Sequence, residues 1–433
     1  MKKLVQFSKV RPCLGKLKAP SSKSALQRIV ALSWLSQGET KIINPVCCND
    51  VDAALGMIRS LGAEVSETSS AIYIDSRGKM ENLDKNKNVV KLFCGESGLA
   101  LRMFSSVVSL NNCCFEFNAA GSLSKRPSSI IVETLSQFGV KLSDNGGFPP
   151  VAVCGQLAGG SAEIDGSLSS QILTGLLLAL PAAKGNSEIK VNNLKSKPYI
   201  DLTIDLAKKF GCEIINNNYS LFEINGGQKY KTPGIIEAEG DWSSASFLLV
   251  AAALSSEGSI EIDNLDIDSK QADKAIVEVL SACGLKIGTS GNNFITLKRT
   301  TPLLLPFEFN ASECPDLFPP LVALASGCSG TSLIHGVERL KHKESDRELT
   351  LLEEFSKAGV DIKSNGKTIS VVGGRGIQSF KGNSHNDHRI AMAIAAASAI
   401  GGVKVEIENA EAVEKSYPDF YNDLMLIGGQ VDE

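Results

Sequence analysis

The sequence predicts an α/β protein of two similar halves, built from six copies of one helix–strand unit. Two periodicities predict it. Long apolar helices open on polar chemistry at Ser24, Ser97, Ser170, Ser243, Asp316 and His388, at intervals of 73, 73, 73, 73 and 72 residues. A period this steady marks internal repetition. The motif apolar-Gly-x-x-apolar also recurs, with its glycine at 62, 139, 211, 284, 359 and 428. It reads as a glycine ending a helix and running into a strand.

Each unit begins with the apolar helix, inside SSKSALQRIV, GESGLALRMF, GSLSSQILTG, GDWSSASFLL, CPDLFPPLVA and NDHRIAMAIA. An alternating segment follows: KIIN, CFEFN, EIKVN, SIEIDNL, TSLIHGV and VKVEIEN. Period-two alternation with β-branched residues predicts a strand with one buried face. A second helix opens at NDVDAAL, KRPSSIIV, SKPYIDLT, SKQADKAIV, KESDRELT and KSYPDFYN, three of them with proline just inside. The glycine motif leads to closing strands YIDS, VAVC, LFEI, FITL and TISVV, and LVQF at the chain start is assigned to the sixth unit. The domain break falls near YKTPGIIEAEGD, giving one domain over 21–240 and another from 1–20 plus 241–433.

A chain of 433 residues exceeds what one core usually serves. Its 43% hydrophobic and 21% charged residues are ordinary for a globular protein. The net charge of −4 argues against a general nucleic-acid or anionic-membrane surface. The longest apolar run, Phe247 to Leu254, falls well short of the ~20 residues that span a bilayer. MKKLVQFSKV lacks the apolar stretch and cleavage site of a signal peptide, so the expected compartment is the cytoplasm. Eleven cysteines with two Cys-Cys pairs and no C-x-x-C predict reduced, mostly buried thiols.

Helix starts present unpaired N–H groups and the positive end of the macrodipole, so they attract anions. Beside them stand Lys23, Arg28, Arg102, Arg126, Lys197, Lys343, Arg347, Arg389 and Lys415. Arginine pairs with phosphate or carboxylate through two hydrogen bonds, and lysine supplies a point charge. With Ser24, Ser169, Ser170, Gln171 and Ser196, the set suits a small, highly anionic ligand. The competing reading is helix capping plus surface ion pairs. Asp316 and Glu344 lie among the cations and are the candidates for proton transfer, Asp316 with N-capping as its alternative. His385 and His388 in HNDH form only a weak metal-like pair. No glycine-rich nucleotide loop opens a helix.

Taken together, SKSALQR, GSLSSQ, SKPY, CPDLFP, KESDR, NDHR and EKSYPDF resemble the 5-enolpyruvylshikimate-3-phosphate (EPSP) synthase family over essentially the whole chain. The resemblance implies a two-domain inside-out α/β barrel of six βαβαββ repeats, with the active site in the cleft between the domains. Two similar halves with ligands between them then predict closure on binding, which excludes water from such chemistry. It implies transfer of the enolpyruvyl group of phosphoenolpyruvate to the 5-hydroxyl of shikimate 3-phosphate, by addition and elimination of phosphate. The two ligands together carry roughly −5 or −6. By resemblance Lys23, Ser24, Arg28, Ser169, Ser170, Gln171, Ser196, Asp316 and Lys343 serve shikimate 3-phosphate. Lys23, Gly98, Arg126, Gln171, Arg347, Arg389 and Lys415 serve phosphoenolpyruvate, and Lys23, Asp316 and Glu344 are the catalytic set. No cofactor, metal, nucleic acid or membrane is implied, and the expected state is a monomer.

The chain departs from the family's G-N-A-G-T-A-x-R-P with Gly95-Glu96-Ser97-Gly98-Leu99-Ala100-Leu101-Arg102-Met103. Leu99 and Met103 bear on glyphosate sensitivity and phosphoenolpyruvate affinity rather than on reaction type. Ser22 before Lys23 and Glu348 after Arg347 are further, tolerable departures. The rivals are a UDP-N-acetylglucosamine enolpyruvyl transferase, a non-catalytic anion-binding repeat protein and a metal-dependent hydrolase built on HNDH.

Overall fold

The six marked starts all produce helices. In the computed structural model, which describes residues 1–7, 12–78, 89–167, 169–291 and 293–432, α-helices are numbered along the chain. The long apolar ones are α1 (Lys23–Leu35), α3 (Gly98–Val108), α5 (Gln171–Ala179), α7 (Trp242–Leu254), α9 (Phe318–Gly327) and α11 (His388–Ala397). Every residue of α3, α7 and α11 is buried, as expected of helices apolar on all sides. The second helices are α2 (Asn49–Ser60), α4 (Ser129–Ser136), α6 (Lys197–Lys209), α8 (Ile276–Ala282), α10 (Arg347–Lys357) and α12 (Phe420–Leu426). These keep a polar face. In α10 the buried residues are Arg347, Thr350, Leu351, Glu354 and Phe355, one stripe of a 3.6-residue helix. All six motif glycines take positive φ, from 79° to 105°, the left-handed conformation that ends a helix without a Cβ penalty.

Proline placement differs from expectation. Only Pro198 lies inside its second helix; Pro127 and Pro418 precede Ser129 and Phe420. The 3-10 turns Gly121–Lys125 and Ala410–Lys415 take up the preceding chain, so the α-helix starts later.

The alternating segments become the inner strands of six four-stranded sheets. In each, the strand before a long helix lies parallel to the strand after one, and the remaining pairings are antiparallel. Residues such as Phe115, Phe117, Ile189, Val191, Val405 and Ile407 point to the buried side. Lys2–Phe7 completes the last sheet, between Lys404–Glu408 and Gly429–Asp432. Two first strands are exchanged: Leu14–Lys18 pairs with Ser259–Asp263, and Ile235–Glu237 pairs with Glu39–Ile43. Residues 23–238 form one compact unit, and 1–22 with 239–433 form the other.

The cysteines require a correction. Cys114 and Cys154 are joined in a disulfide, against the expectation of reduced thiols throughout. They are direct partners in an antiparallel pair, a register invisible to sequence spacing. Cys13, Cys48, Cys94, Cys212, Cys283, Cys314 and Cys328 are buried free thiols, and Cys47 and Cys113 are exposed. No helix among the described residues is long and apolar enough to cross a membrane.

Candidate functional site

In the unit of residues 23–238, α3 packs against α1 and α5, while α6 packs against α1 and α5. Polar contacts then tie the helix starts together. Ser97 caps α3 by accepting from Ala100 N at 3.2 Å, and its hydroxyl donates to Gln27 Oε1 of α1 at 2.8 Å. Arg102 Nη1 donates to Gln171 Oε1 at the start of α5, at 3.0 Å. Lys23 Nζ lies 3.0 Å from Asp50 Oδ2 of α2, and both side chains are largely buried. Arg28 is 2% exposed and donates to Thr203 Oγ1, Thr174 Oγ1 and the Ser24 carbonyl. Burial pulls its pKa down to about 10, partly offset by Tyr199.

Gly98 occupies a tight point. A Cβ there would stand 2.7 Å from Arg102 Nη1 and 3.1 Å from Arg126 Nη1, so two guanidinium heads meet over the first turn of α3. Ser170 and Ser196 sit at the starts of α5 and α6, and neither side chain makes a capping bond there. Ser169 Oγ accepts from Gln171 N at 3.2 Å. Ser196 holds a left-handed backbone, φ 57°, a conformation that costs a non-glycine residue and concentrates at functional positions. Met103 is fully buried, so it belongs to the core, whereas Leu99 keeps slight exposure.

In the other unit α7, α9 and α11 pack on one another, and a charged cluster gathers at their starts. Asp316 lies in the 3-10 turn Pro315–Leu317, and the N-cap of α9 is Leu317, so plain N-capping does not explain it. Its Oδ1 accepts from Arg347 Nη1 at 2.7 Å and Lys343 Nζ at 3.2 Å; its Oδ2 meets Arg389 Nη2 at 3.1 Å. Burial raises its pKa, but Arg389, Lys343 and Arg347 outweigh burial and hold it well below the usual carboxylate range. Arg347 is fully buried. It also donates to Glu344 Oε2 at 2.7 Å and, through Nε, to Asp387 Oδ2 at 2.7 Å. Burial opposes the charge of Arg347, yet Asp387, Glu344 and Asp316 keep its pKa above the ordinary value. Lys343 goes the other way: burial lowers its pKa despite Asp316. Lys415 is 6% exposed.

Four residues of these clusters escaped assignment from sequence. Asp50 and Asp387 stood inside quoted motifs but read as helix starts; Asp387 does cap α11 through Arg389 N at 3.0 Å. Glu96 accepts from the backbone and hydroxyl of Ser122. Asp273 is fully buried, accepts from Ser243 Oγ, and has its pKa raised to about 6, first by burial and then by Asp316. Only folding shows that Asp50 reaches Lys23 and Asp387 reaches Arg347.

The HNDH histidines diverge in their partners. His385 Nε2 lies 2.7 Å from Glu354 Oε1, while His388 is buried with Nδ1 3.8 Å from Asp387 Oδ1. Glu353, Glu354 and His385 could together offer metal ligands. Lys357 Nζ already stands 2.8 Å from an oxygen of each glutamate, supplying the compensating charge.

The model of the family described as EPSP synthase (3-phosphoshikimate 1-carboxyvinyltransferase) matches residues 8–424. A 3-phosphoshikimate 1-carboxyvinyltransferase of Clostridium novyi (strain NT) is 36% identical over 424 residues, 97% of this chain and 96% of that one. The enzyme of that name from Clostridium perfringens (strain 13 / Type A) is 36% identical over 435 residues, covering 100% of both chains. Among solved structures, an EPSP synthase from Acinetobacter baumannii covers 100% of both chains with a TM-score of 0.82 at 23% identity. The enolpyruvyl transferase NikO from Streptomyces tendae gives a TM-score of 0.78 at 16% identity, covering 100% of this chain and 98% of that one. At those identities the structural likeness establishes the inside-out α/β fold alone.

Proposed function

The chain belongs to the EPSP synthase family, and on that premise we propose that it transfers the enolpyruvyl group of phosphoenolpyruvate to the 5-hydroxyl of shikimate 3-phosphate. The hydroxyl gives up its proton as its oxygen attacks C2 and C3 gains a proton. The resulting tetrahedral ketal then expels phosphate as C3 loses a proton, which restores the double bond. Lys23, Ser24, Arg28, Ser169, Ser170, Gln171, Ser196, Asp316 and Lys343 are assigned to shikimate 3-phosphate. Lys23, Gly98, Arg126, Gln171, Arg347, Arg389 and Lys415 are assigned to phosphoenolpyruvate. Lys23, Asp316 and Glu344 are assigned to proton transfer.

The observation that carries the reading is Arg347 joining Asp316 and Glu344 at 2.7 Å each. Two segments far apart in sequence thereby place paired acids among Lys343 and Arg389. A protein that only bound anions would lose affinity by keeping carboxylates there. An acid whose charged form is stabilised by cations, beside a second acid, suits coupled proton removal and delivery. We further infer a cytoplasmic protein that is a monomer; light scattering on the purified protein tests the monomer, and cell fractionation tests the compartment.

The deciding assay incubates the protein with both substrates and a chelator and follows phosphate release. Turnover unaffected by chelator is expected. No turnover, or turnover that the chelator abolishes, rejects the assignment.

A further inference from the structure

We propose that Glu96 is a positioning residue for phosphoenolpyruvate: its carboxylate clasps the turn Gly121–Lys125 and thereby fixes the guanidinium of Arg126 over the start of α3. The inference rests on the enolpyruvyl-transfer reading and on Arg126 as a phosphoenolpyruvate contact.

Glu96 lies in the turn between the strand Val90–Phe93 and α3. Its Oε2 accepts from Ser122 N at 3.0 Å and from Ser122 Oγ at 2.8 Å. One oxygen thus holds both the backbone and the side chain of the turn. A second strap runs beside it, from Ala120 N to the Gly95 carbonyl at 2.8 Å. The seat for the carboxylate exists because residue 121 is glycine. Its φ is 51°, and a Cβ there would overlap the Glu96 carboxyl group.

Arg126 follows the clasped turn directly, and its N–H closes that turn on the Leu123 carbonyl at 3.1 Å. Its guanidinium Nη1 stands 3.1 Å from where a Gly98 Cβ would lie. The path from Glu96 to the proposed ligand contact is therefore one turn of chain plus one side chain. Two hydrogen bonds accepted by one side-chain oxygen suit a strap across two loops. The carboxylate itself would repel a phosphorylated carboxylic acid, so its use is geometric. Placement of a ligand-binding group within a fraction of an ångström decides affinity and orientation.

The test is steady-state kinetics with each substrate varied in turn, alongside thermal melts. Glu96→Ala is expected to raise the KM for phosphoenolpyruvate about tenfold, leaving the KM for shikimate 3-phosphate within about twofold. Glu96→Gln, whose amide oxygen accepts the same two hydrogen bonds, is expected to restore the phosphoenolpyruvate KM to within about threefold of the unsubstituted protein. Should Glu96→Ala fail to fold, Ser122→Ala removes only the hydroxyl half of the clasp and is expected to raise the same KM about threefold. An unchanged phosphoenolpyruvate KM in the folded variants overturns the proposal, as does an equal rise for both substrates. Glu96→Gln behaving like Glu96→Ala also overturns it, because charge rather than the clasp would then matter. Loss of all turnover in the unsubstituted protein instead defeats the underlying reading of function.

Discussion

Arg347 Nη1 lies 2.7 Å from Asp316 Oδ1, and the same guanidinium holds Glu344 and Asp387. One buried cation therefore organises three carboxylates drawn from three helix starts. Those carboxylates hold Arg347 in place, and Lys343 and Arg389 complete the cluster around Asp316.

Removing a partner from this network is expected to be costly. Asp387→Ala leaves the fully buried Arg347 short of its Nε acceptor and strips the N-cap of α11. Breaking a buried ion pair costs about 3–5 kcal/mol. Urea denaturation of the variant is expected to show a loss of that order; a loss below about 1 kcal/mol would contradict the network.

Glu344 is predicted to act in the chemistry rather than in binding. Glu344→Ala is expected to lower kcat by about a hundredfold or more, the usual scale for losing a general acid–base group. Both KM values should stay within about threefold. An unchanged kcat removes Glu344 from the mechanism.

Adding a methyl group at residue 98 tests the meeting of guanidiniums over α3. The new Cβ would press on Arg102 Nη1 and Arg126 Nη1, both ends of flexible side chains that can move. Gly98→Ala should therefore fold with a melting temperature within about 3 °C of the parent. Its KM for phosphoenolpyruvate is expected to rise about tenfold. A large loss of stability without a KM change would assign Gly98 to packing instead.

Asp273 carries a pH signature. Its folded pKa of about 6 lies above the ~3.9 of an unfolded aspartate. Between about pH 4 and 6 the folded state holds a proton that the unfolded state lacks, so its contribution falls as pH rises through that window. Above the window roughly 2–3 kcal/mol of stability has been lost. Asp316 has the opposite sign: its depressed pKa contributes stability at neutral pH that is lost as pH falls into the acid range. Asp273→Asn should thus gain stability relative to the parent between pH 4.5 and 7, read from urea midpoints. A constant difference across that range would show that Asp273 does not titrate there.

The sequence alone determined the repeat, the helix and inner-strand positions, and the list of cations at helix starts. Those features are local. Apolar periodicity, capping chemistry and glycines with positive φ such as Gly62 and Gly359 act within a few residues, so they are written in order along the chain. Only tertiary structure decided the pairings. It exchanged Leu14–Lys18 for Ile235–Glu237, joined Cys114 to Cys154, and brought Asp50 to Lys23 and Glu96 to Ser122. It likewise showed that Asp316 binds cations rather than capping α9. Such contacts depend on strand register and helix packing across tens to hundreds of residues, where no local pattern specifies which acid meets which base.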